Sequence, residues 1–137
     1  MLVVKWQGGW AFESNPPVGP CFVMDASIDS GGQSLGPSPV EALLSAAAAC
    51  SAMDVIGILR KMRQDVAEYW VDVEWERAPE GTLPRPVTAI TLSHHIRGND
   101  IDTQAVERAV ELSDSKYCTV VSTLRAAPKV TSKYLVE

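Results

Sequence analysis

The chain has 137 residues, 46% hydrophobic and 21% charged. That length suits about one domain, and the composition argues against a disordered chain. A net charge of −5 and a pI near 5.0 argue against a nucleic-acid partner, because an acidic surface repels phosphate.

The most apolar run, Ala42 to Met53, is twelve residues long, and a bilayer takes about 20. The first ten residues lack a charged segment followed by an apolar block, so no secretory signal is read. The expectation is a cytoplasmic protein with no membrane partner. Three widely spaced cysteines, Cys21, Cys50 and Cys118, do not make a secreted disulfide framework. No pair has metal-ligand spacing, and the adjacent His94 and His95 form no zinc motif. No bound metal or cofactor is expected. By count alone the cysteines are buried small hydrophobes or redox-active thiols.

In chain order, Leu2 to Trp6 and Cys21 to Ala26 read as strands of an opening antiparallel sheet. The glycines and prolines between them, from Gly8 to Pro20, read as turns. A glycine-rich loop, Asp29 to Pro39, leads into a long helix. Ser38 is the expected N-cap, Pro39 fits the first turn, and Glu41 completes an S-x-x-E capping box. The helix is expected to reach about Gln64. Its middle, Ser45 to Ala52, is made of small residues that permit close approach of another backbone. A helix apolar on most sides belongs at the centre of a fold.

Tyr69 to Arg77 alternates, with Val71, Val73 and Trp75 on one face and Asp72, Glu74 and Glu76 on the other. Val87 to Arg97 alternates too, and His94 falls on the apolar face with Ile90, Leu92 and Ile96. His94 is therefore expected to be a hydrogen-bonded core residue, and His95 to face water. Ala78 to Pro86 joins the two strands as a hairpin loop. A second helix opens at Asp102 or Thr103 and runs to about Lys116, with Val106, Ala109, Val110, Ser113 and Tyr117 as its stripe. A short helix is expected from Cys118 to Arg125, then a last strand, Val130 to Val136. The class is α+β, one domain over 1–137, with antiparallel sheets packed on a long central helix that bears Cys50.

Cys50 lies in the small-residue stretch, and Cys118 opens a helix whose dipole favours thiolate. The stretch from Gly36 through Ala46-Ala-Ala-Ala-Cys50 to Gln64 resembles the cysteine helix of the OsmC/Ohr family of organic hydroperoxide reductases. The stretch Ala109-Val-Glu-Leu-Ser-Asp-Ser-Lys-Tyr-Cys118-Thr-Val resembles that family's second signature. Both look closest to its YhfA-like branch, and the order of elements matches along essentially the whole chain.

The resemblance implies an OsmC-like fold and an intertwined homodimer, its long helices packed together and its active sites at the interface. It implies a thiol-dependent peroxidase that reduces organic hydroperoxides to alcohols in oxidative-stress defence. Cys50 would pass through a sulfenic acid, and Cys118 would close a Cys50–Cys118 disulfide. An external dithiol, of the lipoyl type in one branch, would reduce that disulfide.

The peroxidase branches also use an arginine from the N-terminal strands and a glutamate after the helix-opening proline. Here the first arginine is Arg60, with Lys5 the sole lysine before it, and Val40 holds the glutamate position. Glu41 is a catalytic candidate or simply the capping-box residue. Nine residues from Cys50, it points to nearly the opposite side of the helix, about 13–14 Å along the axis. Asp54, one turn beyond Cys50, is a supporting carboxylate or a hydrogen-bonded polar residue. Arg125 and Lys116 are candidate cations for Cys118 or solvated surface charges. Cys21 is expected to be a packing residue. Trp6, Trp10 and Tyr117 are expected in core or interface packing, with the wall of an apolar pocket as the other role. Two further readings share this fold: other thiol or redox-sensing chemistry, and a dimer that binds an apolar ligand.

Overall fold

The computed structural model describes residues 1–136 and divides into two compact units, Met1–Ala46 and the chain from Ala47 onward. The class is α+β with antiparallel sheets, as the sequence predicts.

In the first unit, β1 (Val3–Gly8), β2 (Ala11–Asn15) and β3 (Phe22–Met24) form an antiparallel sheet in that order. Strand β2 stands where only turns were expected. Its sequence, Ala-Phe-Glu-Ser-Asn, lacks clean hydrophobic alternation, yet it buries Ala11 and Ser14. Gly8 and Gly9 both take positive φ, which lets the chain double back into β2. Cys21, expected to pack inside, lies outside, and its thiol donates to Asn15 Oδ1 at 3.1 Å. Trp6 and Trp10 are about two-thirds exposed, and the Trp6 indole N–H is satisfied by the Gly9 carbonyl.

The loop that follows is organised by Asp25, a buried carboxylate. It accepts from the backbone N–H of Ala26, Gln33 and Leu35 at 2.7, 3.0 and 3.3 Å. A Cβ on Gly36 would meet the Val23 carbonyl oxygen, so glycine is required where the loop passes β3. Burial pushes the Asp25 carboxyl up, but the three N–H donors push it down further, to a net value below 3.8. The ionised form is thus favoured by folding. Its stabilising contribution is complete above the unfolded value and fades as pH falls through the lower folded value. Asp25→Asn is expected to lower the Tm at pH 7. The gap from wild type should close below pH 3.8, which thermal unfolding across a pH series would check.

Helix α1 (Pro39–Lys61) opens with the expected capping box. The Ser38 N–H donates to Glu41 Oε2 at 2.7 Å, and the Glu41 N–H donates to Ser38 Oγ at 3.2 Å. It ends three residues before the expected Gln64. Arg63 takes a left-handed φ of 57°, and the N–H of Gln64 returns to the Leu59 carbonyl at 3.0 Å, which closes the helix without glycine. By length and composition α1 could span a bilayer, with an 18-residue window of mean hydropathy 1.9. That is more than the twelve-residue run suggested. Its Val55 and Leu59 are instead buried in a protein core.

In the second unit, β4 (Asp65–Arg77) and β5 (Val87–Asn99) form a long antiparallel hairpin. The alternating faces pair as their sequences require: Tyr69 with Ile96, Val71 with His94, Val73 with Leu92 and Trp75 with Ile90. Strand β4 starts four residues earlier than Tyr69. A register shift between Val66 and Glu68 interrupts the alternation there, and both Val66 and Tyr69 pack on the core. Helix α2 (Thr103–Leu112) is capped by Asp102 and meets α1 through Ala105, Ala109, Val55 and Leu59. It stops short of Lys116 because a π turn (Ser113–Tyr117) takes over. Helix α3 (Thr119–Ala126) follows, with Cys118 at its N-cap. The expected strand Val130–Val136 is absent. That segment pairs with no strand among the described residues, and a strand needs a neighbour to satisfy its backbone.

Candidate active site

Two of the three cysteines meet in the second unit. Cys50 is on α1 and partly exposed, whereas Cys118 is 3% exposed. The π turn places Cys118, whose N–H bonds to the Ser113 carbonyl at 2.9 Å. Burial pushes the Cys118 thiol up. The Val121 N–H in the first turn of α3 lowers it, and the neighbouring Cys50, then Asp54, raise it again. The net direction is upward, which favours the protonated Cys118 thiol. An accessible thiol beside a buried protonated one is the asymmetry that a nucleophile and its resolving partner need.

Asp54 lies one turn from Cys50, a spacing that brings side chains to the same helix face. Its Oδ2 accepts from Ser113 Oγ at 3.1 Å. Ser113 is fully buried, and its Oγ also lies 3.1 Å from Ser51 Oγ. Ser51 Oγ is 3.5 Å from His94 Nε2, the longest link, and His94 Nδ1 is 2.6 Å from Tyr69 Oη. Burial, then the neighbouring His95, lowers His94, and burial raises Tyr69. Both changes favour neutral side chains. His94 is thus hydrogen-bonded at both ring nitrogens, as expected, but it is partly buried rather than in the core. His95 lies on the opposite face, paired with Asp72 at 3.0 Å and stacked on Trp70.

A groove of about 480 Å³ opens beside Asp54, walled by Met53, Ile58, Met62, Leu112 and Tyr117, with Lys61 as its cation. Tyr117 thus lines an apolar pocket, the alternative role read for it. The Lys116 ammonium sits 5.3 Å over the Tyr117 ring. Arg125 is engaged by Asp114, donating to its carbonyl at 2.8 Å and its carboxylate at 2.7 Å, and so ties α3 to the π turn. The Glu41 carboxylate stays in the capping box, where the Ser38 N–H and then its hydroxyl lower its titration.

The profile of the family described as OsmC-like protein matches residues 31–133. The chain belongs to the OsmC-like family. It is 42% identical over 133 residues to Protein YhfA of Escherichia coli strain K12, covering 97% of this chain and 95% of that one. A crystal structure of a hypothetical protein from Aquifex aeolicus VF5 superposes with a TM-score of 0.78 at 25% identity, over 93% of this chain and 87% of that one. An organic hydroperoxide resistance protein OsmC from Legionella pneumophila superposes with a TM-score of 0.64 at 17% identity, over 91% and 89% of the two chains. Cys50 and Cys118 both fall within the residues matched by the family profile.

Sequence reasoning missed Ser51, Ser113 and Tyr69. The one signal was polar: serines beside a cysteine and inside an apolar helical stripe need buried partners.

Proposed function

We propose that the protein is a thiol-dependent peroxidase that reduces organic hydroperoxides to alcohols. The observation that carries this reading is the pairing of a partly exposed Cys50 with a neighbouring, buried Cys118. The Cys50 thiolate attacks the hydroxyl-bearing oxygen of the hydroperoxide, and the O–O bond breaks. Cys50 becomes a sulfenic acid and the alcohol departs. Cys118 then condenses with the sulfenic acid, releasing water and forming the disulfide. An external dithiol, lipoyl groups included, reduces that disulfide by exchange. The apolar groove beside Asp54 suits the carbon body of an organic peroxide better than hydrogen peroxide. The name of the Legionella pneumophila protein is consistent with this chemistry.

The working form is read as a cytoplasmic homodimer. On α1, Leu43 and Met53 stay 45% and 72% exposed, and Ala46 and Ala49 are also exposed, as an apolar helix awaiting a second copy would leave them. The direct test is a titration of the reduced protein with cumene hydroperoxide and, separately, hydrogen peroxide. Free thiols are followed and any disulfide is mapped by mass spectrometry. A Cys50–Cys118 disulfide that forms faster with the organic peroxide is the expected result. Thiols that stay reduced would turn the groove toward the other reading, an apolar-ligand site.

A further inference from the structure

The hydrogen-bond chain behind Asp54 has a single direction. Ser113 has one hydroxyl proton, and its strongest acceptor is the Asp54 carboxylate at 3.1 Å. Ser51 is then assigned as the donor to Ser113, and the His94 tautomer with Nε2–H toward Ser51 completes the chain. That leaves His94 Nδ1 as the acceptor for Tyr69 Oη–H. Every donor therefore points toward Asp54, and the one net charge in the chain sits on its carboxylate. No side-chain polar atom buried among the described residues lacks a partner. Asp54 is also the group common to the relay, the groove wall and the electrostatic surroundings of Cys118.

We propose that Asp54, fixed by the Ser113–Ser51–His94–Tyr69 relay, is the proton shuttle of the peroxidase reaction. It does the work for which this chain has no N-terminal arginine and no glutamate at Val40. The proposal rests on the peroxidase reading. Asp54 takes the Cys50 thiol proton, and the thiolate attacks the hydroxyl-bearing oxygen of the hydroperoxide. The O–O bond breaks with its electron pair going to the alkoxy oxygen. Protonated Asp54 then returns the proton to that oxygen. Sulfur is oxidised by two electrons, the peroxide is reduced by two, and the carboxylate is regenerated as sulfenic acid and alcohol form.

Proton delivery matters most when the leaving group is a strong base. An alkoxide needs the proton, whereas the carboxylate that leaves a peroxycarboxylic acid does not. In Asp54→Asn water can still take the thiol proton, so what the variant loses is the return of that proton to the leaving oxygen. The experiment compares wild type and Asp54→Asn, pre-reduced, with tert-butyl hydroperoxide and with peracetic acid. Cys50 sulfenic acid and disulfide are counted by mass spectrometry. The expected result is a loss of about 10²–10⁴-fold with tert-butyl hydroperoxide, against less than about tenfold with peracetic acid. An equal loss with both oxidants, or no loss with either, overturns the shuttle while leaving the peroxidase intact. A wild-type protein no faster than a free thiol toward tert-butyl hydroperoxide overturns the peroxidase reading, and the shuttle with it. Should Asp54→Asn not fold, Ser113→Ala carries the same comparison. A loss selective for tert-butyl hydroperoxide supports the shuttle, and an unselective one overturns it.

Discussion

Cys50→Ser is expected to lower organic-peroxide consumption by on the order of 10⁴–10⁶-fold, the scale seen when a catalytic nucleophile is removed. A serine hydroxyl at that position keeps the size of the side chain but does not ionise near neutral pH. The contrast with the other two cysteines makes the result informative. Cys118→Ser should still consume one equivalent of peroxide, because the attacking sulfur is intact. It should then stop with a sulfenic acid at Cys50 that dimedone traps, because the buried partner that closes the disulfide is gone. Cys21→Ser should behave as wild type, since Cys21 is exposed and its thiol is bonded to Asn15. Peroxide consumption with a dithiol reductant present, followed by intact-mass measurement, reads all three. Activity that survives in Cys50→Ser would remove Cys50 from the reaction.

Leu59→Ala is the largest expected loss of stability. Leu59 is fully buried and clusters with Val55, Ala105 and Ala109. The two alanines of α2 let that helix lie close to α1, but they offer no long side chain to move into a void. The cost should therefore fall in the upper part of the usual 2–5 kcal/mol for such truncations, about 3–5 kcal/mol. Set against the roughly 5–15 kcal/mol that holds an ordinary domain folded, this is a large share. Urea denaturation should show a lower midpoint with an unchanged m-value. A loss under about 1 kcal/mol would mean that the surroundings collapse into the space.

The main supports of this arrangement are legible in the sequence. Ser38 and Glu41 announce the start of α1, and a capping box is a local device that needs only four residues. The paired alternation of Tyr69–Arg77 and Val87–Arg97 fixes both strand faces, because the side-chain period of two leaves one choice of inside. Cys50 and Cys118 were legible through two long family signatures. The relay was not. Its links join residues 25, 43, 59 and 62 positions apart, and nothing local couples Tyr69 to His94 or Ser51 to Ser113. The π turn was hidden for another reason. Ser113 and Tyr117 continue the 3–4 spacing of α2, so the periodicity runs straight through the place where the backbone changes. The strand expected at Val130–Val136 shows the converse limit, since a suitable sequence does not supply a neighbour to pair with.

The π turn also makes chain length a chemical variable. Its defining bond spans five residues, from Ser113 to Cys118, where an α-helix would span four. Dropping one residue between them would let the helix run on in ordinary winding. Each residue of an α-helix turns the chain by about 100°, so Cys118 would rotate away from Cys50 with every side chain of the site still in the sequence. The hairpin loop at Ala78–Pro86 lies outside both strands and imposes no such count. Insertions and deletions should thus be tolerated there and not between Ser113 and Cys118, where the pairing of the two thiols depends on the number of residues as much as on their identity.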